Sequence, residues 1–387
     1  MKPACVNWNY PTAVKVGPGR IAELPDWCKS LGMKRPLLVT DPGLAGMPMV
    51  AAARAACEAA GLPCGLFHHI KGNPTGANVD DGVRALRDGR HDGVIAFGGG
   101  SALDAAKAIA LMAGQARPLW DFEDVGDNYL RVNVDGMVPV VAVPTTAGTG
   151  SEVGRASVIT DEAAHVKRII FHARMLPAVV ILDPELTTGL PAKLTAATGM
   201  DALSHNLEAY SSPFYHPMAV GIAVEGMRLI KDYLPRAVND GKDLEARQQM
   251  LVASAMGATA FQRGLGAMHA LAHPLGALYD AHHGMLNAIL MPYVLRANES
   301  AIDDRIVALA RYLNLPSASF KGFMDWVLGL RESIGIPHKL ADIGIEAHEA
   351  RRVGEMAVVD GSAGSNPIAF DAAGYAAIFE SAVQGRL

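Results

Sequence analysis

The 387-residue chain has only four cysteines, Cys5, Cys28, Cys57 and Cys64, all before residue 65 and none in a Cys-x-x-Cys spacing. That excludes a disulfide framework and a thiolate zinc site, and it predicts reduced thiols in a cytoplasmic protein. The stretch from Met1 to Trp8 lacks the apolar core of a signal peptide. No uninterrupted apolar run reaches the ~20 residues that cross a bilayer, which predicts a soluble chain with no membrane partner. Charged residues make up 19% of the chain and the net charge is −5, with no basic stripe to hold nucleic acid. Internal repeats, low-complexity linkers and the common dinucleotide fingerprint G-x-G-x-x-G are also missing. Half the residues are hydrophobic, and the length suffices for two domains with separate cores.

What the chain has instead is a concentration of histidine. Six of its thirteen histidines lie between His205 and His283. Asp201 and His205 stand four apart, so on a helix both project from one face, and His269 and His273 repeat that spacing on a second segment. His282 and His283 follow before Gly284. A carboxylate with two or three imidazoles suits a divalent cation such as Zn²⁺ or Fe²⁺. Taken singly, such pairs are more often surface pairs or helix caps than metal sites. Together, in an apolar region poor in charge, they favour a site, because buried Asp and His need partners. Spacing alone offers His273 and His282 as ligands on equal terms with the others.

The first half alternates short apolar runs with helical patterns, the signature of a parallel α/β domain. Strands are predicted at 36–41, 64–70, 93–97, 138–144 and 178–182, with helices at 50–60, 79–89 and 102–113. The turn Gly98-Gly99-Gly100-Ser101 lies between a buried strand and a helix that carries Asp104 and Lys107. Glycines there let backbone amides close on a phosphate at a helix N-terminus, although a plain tight turn reads the same way. A second candidate loop, Thr145 to Glu152, offers hydroxyls and glycines after another buried strand. Beyond Asp183-Pro184-Glu185-Leu186 the period becomes helical, with helices expected at 194–210, 217–234, 244–261, 285–298 and 301–313. The expected organisation is an α/β dinucleotide-binding domain over 1–186 and an all-α domain carrying the metal residues over 187–387.

Together, these segments resemble the iron-containing (group III) alcohol dehydrogenase family over nearly the whole chain. The matches are Gly98 to Ser101 with Asp104 and Lys107, Pro144 to Glu152, Asp183 to Leu186, Gly199 to His205, and His269 to Gly284. The resemblance implies Fe²⁺, Zn²⁺ or another divalent metal held by Asp201, His205, His269 and His283, with His273 beside cofactor and substrate. His282, where relatives often carry proline, is expected outside the ligand set. For NAD, the resemblance implies Asp41 at the ribose 2′-OH, which disfavours the 2′-phosphate of NADP. It places Asn73 and Pro74 near the cofactor, Gly99, Gly100 and Ser101 at the pyrophosphate, Thr145, Thr146 and Thr149 on the dinucleotide, and Lys167 near its ribose. It also implies a homodimer or other homo-oligomer.

The activity implied is hydride transfer between NAD and an alcohol, aldehyde or short hydroxy acid, with His273 passing the released proton. The segments 211–217, 260–266 and 282–284 look like the branch of 4-hydroxybutyrate dehydrogenases and hydroxyacid–oxoacid transhydrogenases. In that branch Arg155, the one long cation between Glu152 and Val158, is a candidate anchor for a substrate carboxylate. Two other classes fit the same residues: a dehydroquinate-synthase-like lyase that regenerates its NAD, and a non-catalytic protein that binds metal and nucleotide.

Overall fold

The computed structural model describes residues 10, 12–164 and 166–387; the expectations for Met1 to Trp8, and for the Cys5 thiol, lie outside the described residues. The chain divides into two compact units. One spans Pro11–Thr146 with Gly150–Gly189, and the other Leu190–Leu387 with the short piece Ala147–Thr149.

The first unit is built on a six-stranded sheet in the order β1-β8-β5-β4-β2-β3, parallel at every pairing. Its strands are β1 (Ala13–Val16), β2 (Pro36–Val39), β3 (Gly65–Phe67), β4 (Gly93–Gly98), β5 (Val140–Pro144) and β8 (Val179–Leu182). The helices are α1 (Leu24–Ser30), α2 (Pro42–Ala45), α3 (Pro48–Ala59), α4 (Gly76–Asp88) and α5 (Gly100–Met112). Strands β2, β4, β5 and β8 are buried at every residue, which is why they read as continuous apolar runs rather than as an alternation. Leu38, Ile95, Val141 and Ile181 share one core with Leu24, Val50 and Cys57. Cys28, Cys57 and Cys64 are free and buried in it.

A hairpin that the sequence reading missed joins this unit: β6 (Ala156–Asp161) pairs antiparallel with β7 (Val166–Phe171). In β6 every second residue is buried, so the period-2 signal was there, but β7 is only partly buried at all but one position and does not repeat it.

Every regular element of the second unit among the described residues is helical. The helices are α6 (Ala192–Ser211), α7 (Pro217–Asn239), α8 (Leu244–Ala260), α9 (Ala267–Tyr279), α10 (His283–Tyr312), α11 (Phe320–Ser333), α12 (Ala350–Ala357) and α13 (Ala372–Gln384). Helix α6 is buried at nearly every position from Thr195 to Ser211, the mark of a central core helix. One expectation is corrected: the two helices expected at 285–298 and 301–313 form the single helix α10. The Asn298-Glu299-Ser300 segment read as a break, but Asn298 is buried and exchanges hydrogen bonds with Asn366, so its polarity is satisfied without ending the helix. No helix among the described residues is long and apolar enough to cross a membrane.

Candidate metal centre and nucleotide loops

Helices α6, α9 and α10 supply the metal candidates. The i,i+4 spacing turns Asp201 and His205 to one face of α6, and His269 lies in the first turn of α9. His283 opens α10, and Gly284 after it permits a close approach. A Cβ there would lie 2.5 Å from Ala197 O and 3.1 Å from Asp201 Cβ. One ligand atom each from Asp201, His205, His269 and His283 lies within 4.8 Å of the others. Four ligands held tetrahedrally at about 2.0–2.2 Å from one ion lie ~3.3–3.6 Å apart, so this cluster closes on a single cation with a small inward shift of its side chains.

The hydrogen bonds around these rings strengthen the fit. His205 Nδ1 donates to Gly148 O at 3.2 Å, and His269 Nδ1 donates to Glu208 Oε2 at 2.6 Å. Each bond leaves the Nε2 lone pair for a ligand role. Asn287, fully buried, donates to Asp201 Oδ1 at 2.8 Å, and its Nδ2 lies 3.2 Å from Nε2 of both His269 and His283. Burial pushes the His205 pKa down to about 4, so this ring is neutral, the form that ligates. Burial also opposes charge on His269, but the Glu208 carboxylate and its hydrogen bond, with Asp201 and Asp360 further off, outweigh it and raise that ring's pKa. With two N–H groups, the Asn287 amide cannot satisfy every lone pair that one carboxylate and three imidazoles bring to this point, and a divalent cation matches what remains.

His273 lies one turn beyond His269 on α9, its ring 5.9 Å from that of His269 and stacked 5.5 Å from that of His283. Its Nδ1 donates to Asp360 Oδ2 at 2.8 Å. His282 is outside the cluster of four and instead caps α10, Nδ1 accepting from Met285 N–H at 3.3 Å. Glu208 and Asp360 were not anticipated. Glu208 had a signal, since with Asp201 and His205 it completes an i, i+4, i+7 face of α6. Asp360, on a loop after α12 and 87 residues from His273, had none.

In the α/β unit, the candidate nucleotide residues follow the carboxyl ends of parallel strands and so gather at one end of the sheet. Asp41 follows β2, and its Oδ1 accepts from Gly43 N–H and Leu44 N–H, capping α2. Gly98 ends β4 at φ +145°, where a Cβ would lie 2.8 Å from that of Ala102. Gly99 then caps α5 without a side-chain bond, and Gly100 and Ser101 form its first turn. The first N–H groups of α5 are thereby presented to solvent or ligand. Thr145 donates its N–H to Gly98 O at 2.9 Å, and Thr146 sits 3.4 Å from the Cβ position of Gly99. Asn73, at φ 56°, accepts from Lys167 Nζ at 2.8 Å, and Pro74 O accepts from Thr160 N–H at 2.7 Å. The hairpin thus brings Lys167 to Asn73 and Pro74. Thr149 belongs to the piece Ala147–Thr149 of the helical unit. Asp104 points to its own scaffold, accepting from Ser151 Oγ and Val158 N–H and pairing with Lys107. Arg155 lies with its guanidinium over the Phe171 ring at 5.6 Å.

Comparison with known proteins agrees with this geometry in both halves. The family model described as iron-containing alcohol dehydrogenase matches residues 11–184, and that of the Fe-containing alcohol dehydrogenase family, C-terminal, matches residues 195–383. A 4-hydroxybutyrate dehydrogenase of Cupriavidus necator is 38% identical over 97% of this chain and 99% of its own. The crystal structure of a 1,3-propanediol oxidoreductase superposes with a TM-score of 0.93 at 37% identity, covering 98% of this chain and all of that one. A sulfoacetaldehyde reductase of Bifidobacterium kashiwanohense, solved with NAD⁺, gives a TM-score of 0.89 at 27% identity over 98% of this chain and 99% of its own. With the two family models together matching residues 11–184 and 195–383 and a metal cluster of the right chemistry, the chain belongs to the iron-containing alcohol dehydrogenase family, NAD-dependent oxidoreductases with a divalent metal at the reaction centre.

Proposed function

We propose that the protein interconverts short primary alcohols, 4-hydroxybutyrate among them, and their aldehydes, with NAD as hydride carrier. The observation that carries this reading is the convergence of Asp201, His205, His269 and His283, with His205 and His269 tethered through Nδ1. When bound, the cation supplies Lewis acidity at the substrate oxygen and NAD accepts or returns the hydride. His205, His269 and His283 hold the cation with Asp201, and Asn287 keeps the Asp201 carboxylate from rotating. On oxidation His273 takes the hydroxyl proton, and on reduction it returns that proton to the carbonyl oxygen. The overall balance is alcohol plus NAD⁺ to aldehyde, NADH and a proton.

The α/β region 1–186 binds the dinucleotide and the helical region 187–387 carries the reaction centre. Asp41 accepts from the adenosine ribose, and the N–H groups of Gly99, Gly100 and Ser101 with the α5 dipole hold the pyrophosphate. Thr145, Thr146 and Thr149 donate to the dinucleotide. Lys167 and Asn73, already paired, meet its ribose with Pro74. Asp104 acts through the loop it pins at Ser151. A hydroxy-acid substrate is supported by the 4-hydroxybutyrate dehydrogenase relative. Arg155 serves such a carboxylate only by leaving Phe171, so Arg155→Ala separates acid from neutral alcohol. The free, buried cysteines support a cytoplasmic enzyme, and the family resemblance supports a homodimer.

The test is metal analysis of the purified protein, followed by an NADH-linked screen of short alcohols and hydroxy acids. A stoichiometric divalent ion and turnover lost on chelation are expected. Metal-free protein with full turnover, or no NADH formed from any alcohol, contradicts the reading.

A further inference from the structure

Two carboxylates in the helical unit are bonded alike. Glu208 accepts from Met268 N–H at 2.7 Å with one oxygen and from His269 Nδ1 at 2.6 Å with the other. Asp360 accepts from Ser362 N–H at 2.8 Å with Oδ1 and from His273 Nδ1 at 2.8 Å with Oδ2. His269 and His273 stand four apart on α9, so one helix face presents two imidazoles, each tied by a carboxylate that is itself pinned to backbone. The first pair orients a metal ligand. The second has no metal to serve, and its histidine lies outside the ligand cluster.

We propose that Asp360 is a positioning residue that fixes the His273 proton on Nδ1, leaving the Nε2 lone pair to take the substrate hydroxyl proton. This rests on the role given to His273 above. Because a carboxylate only accepts, His273 must donate from Nδ1, and the neutral ring then has its one acceptor at Nε2. The turn holds the carboxylate still, with Ala363 N–H also bonded to Asp360 O at 3.0 Å. An amide in place of the carboxylate has one acceptor for two donors. If its oxygen serves Ser362, its NH₂ faces His273 and drives the ring proton to Nε2, where it blocks proton uptake.

The test is a double-mutant cycle with Asp360→Asn and His273→Ala, each assayed for kcat at saturating alcohol and NAD. Alone, Asp360→Asn is expected to lower kcat about 10- to 100-fold, with metal content, NADH affinity and melting temperature kept. In the His273→Ala background the same change is expected to have no further effect, because Asp360 acts only through His273. An equal loss in both backgrounds, or a loss of metal or of NADH binding, overturns the proposal in favour of a structural role. Full rate in Asp360→Asn with an impaired His273→Ala overturns the role of Asp360 alone. Full rate in His273→Ala overturns both the inference and the reading of His273.

Discussion

The Lys107–Asp104 pair of the α/β unit and the histidine cluster of the helical unit both place polar side chains out of water, and they are satisfied in opposite ways. In the α/β unit, Lys107 is almost fully buried and donates to Ser151 O at 3.0 Å and to Ala156 O, while pairing with Asp104 at 3.2 Å. Asp104 in turn spends both oxygens on Ser151 and Val158. This network is closed, since cation and anion meet each other and the remaining bonds go to backbone and to the Ser151 hydroxyl. In the helical unit, one carboxylate and three imidazoles bring acceptors to one point with no cationic side chain among them. That network is open. A closed network of buried charge is scaffolding, whereas an open one with surplus lone pairs calls for a ligand from outside.

The contrast can be sharpened first at Glu208. Glu208→Gln keeps the shape but leaves one acceptor for Met268 N–H and His269 Nδ1, which loosens a ligand without removing it. Metal affinity, read by competition with a chelator, is expected to fall about 10- to 100-fold. An unchanged affinity would place Glu208 with the scaffolding carboxylates.

A smaller effect is expected on the nucleotide side. Asn replaces Asp41 without losing the cap, because its side-chain oxygen still accepts from Gly43 and Leu44. Only the charge goes. The ratio of kcat/KM for NADP to that for NAD is expected to rise about tenfold, and an unmoved ratio would mean that Asp41 serves α2 alone.

The smallest effect concerns Glu152, a buried carboxyl of the α/β unit that the Lys107 charge compensates only in part. Its Oε1 is buried and has no hydrogen-bond partner among the described residues, and burial pushes its pKa up to about 7. Between the ordinary carboxylate range and that value, the unfolded chain is ionised while the folded one keeps its proton. Stability therefore falls as pH rises through this window and the deficit is complete above it. Glu152→Gln abolishes the titration, so its melting temperature relative to wild type is expected to be more favourable at pH 8 than at pH 5, by about 1–3 °C. The same difference at both pH values would show that the Glu152 carboxyl does not titrate between the two states.

How far the sequence was legible follows from how local each signal is. The i,i+4 pairs of α6 and α9 could be read because their chemistry repeats at the helical period. The buried strands were equally plain, because a parallel sheet covered on both faces needs unbroken apolar runs. Family resemblance, not spacing, separated His283 from His282, and the structure supplies a physical ground for the separation: His282 spends Nδ1 on the N-cap of α10. Asp360 was invisible, because its pairing with His273 closes a loop of 87 residues that no local period encodes. The β6–β7 hairpin was missed because β7 is fully buried at one residue alone and carries Lys167 and Arg168 on partly exposed positions, blurring the alternation.

The central claim is that two histidines one turn apart on α9 do different work, His269 holding metal and His273 moving a proton. The direct measurement is the divalent metal content of purified wild type, His269→Ala and His273→Ala. The account predicts a full complement in wild type and in His273→Ala, with His269→Ala largely metal-free. Full metal in His269→Ala, or a loss in His273→Ala as deep as in His269→Ala, would contradict it.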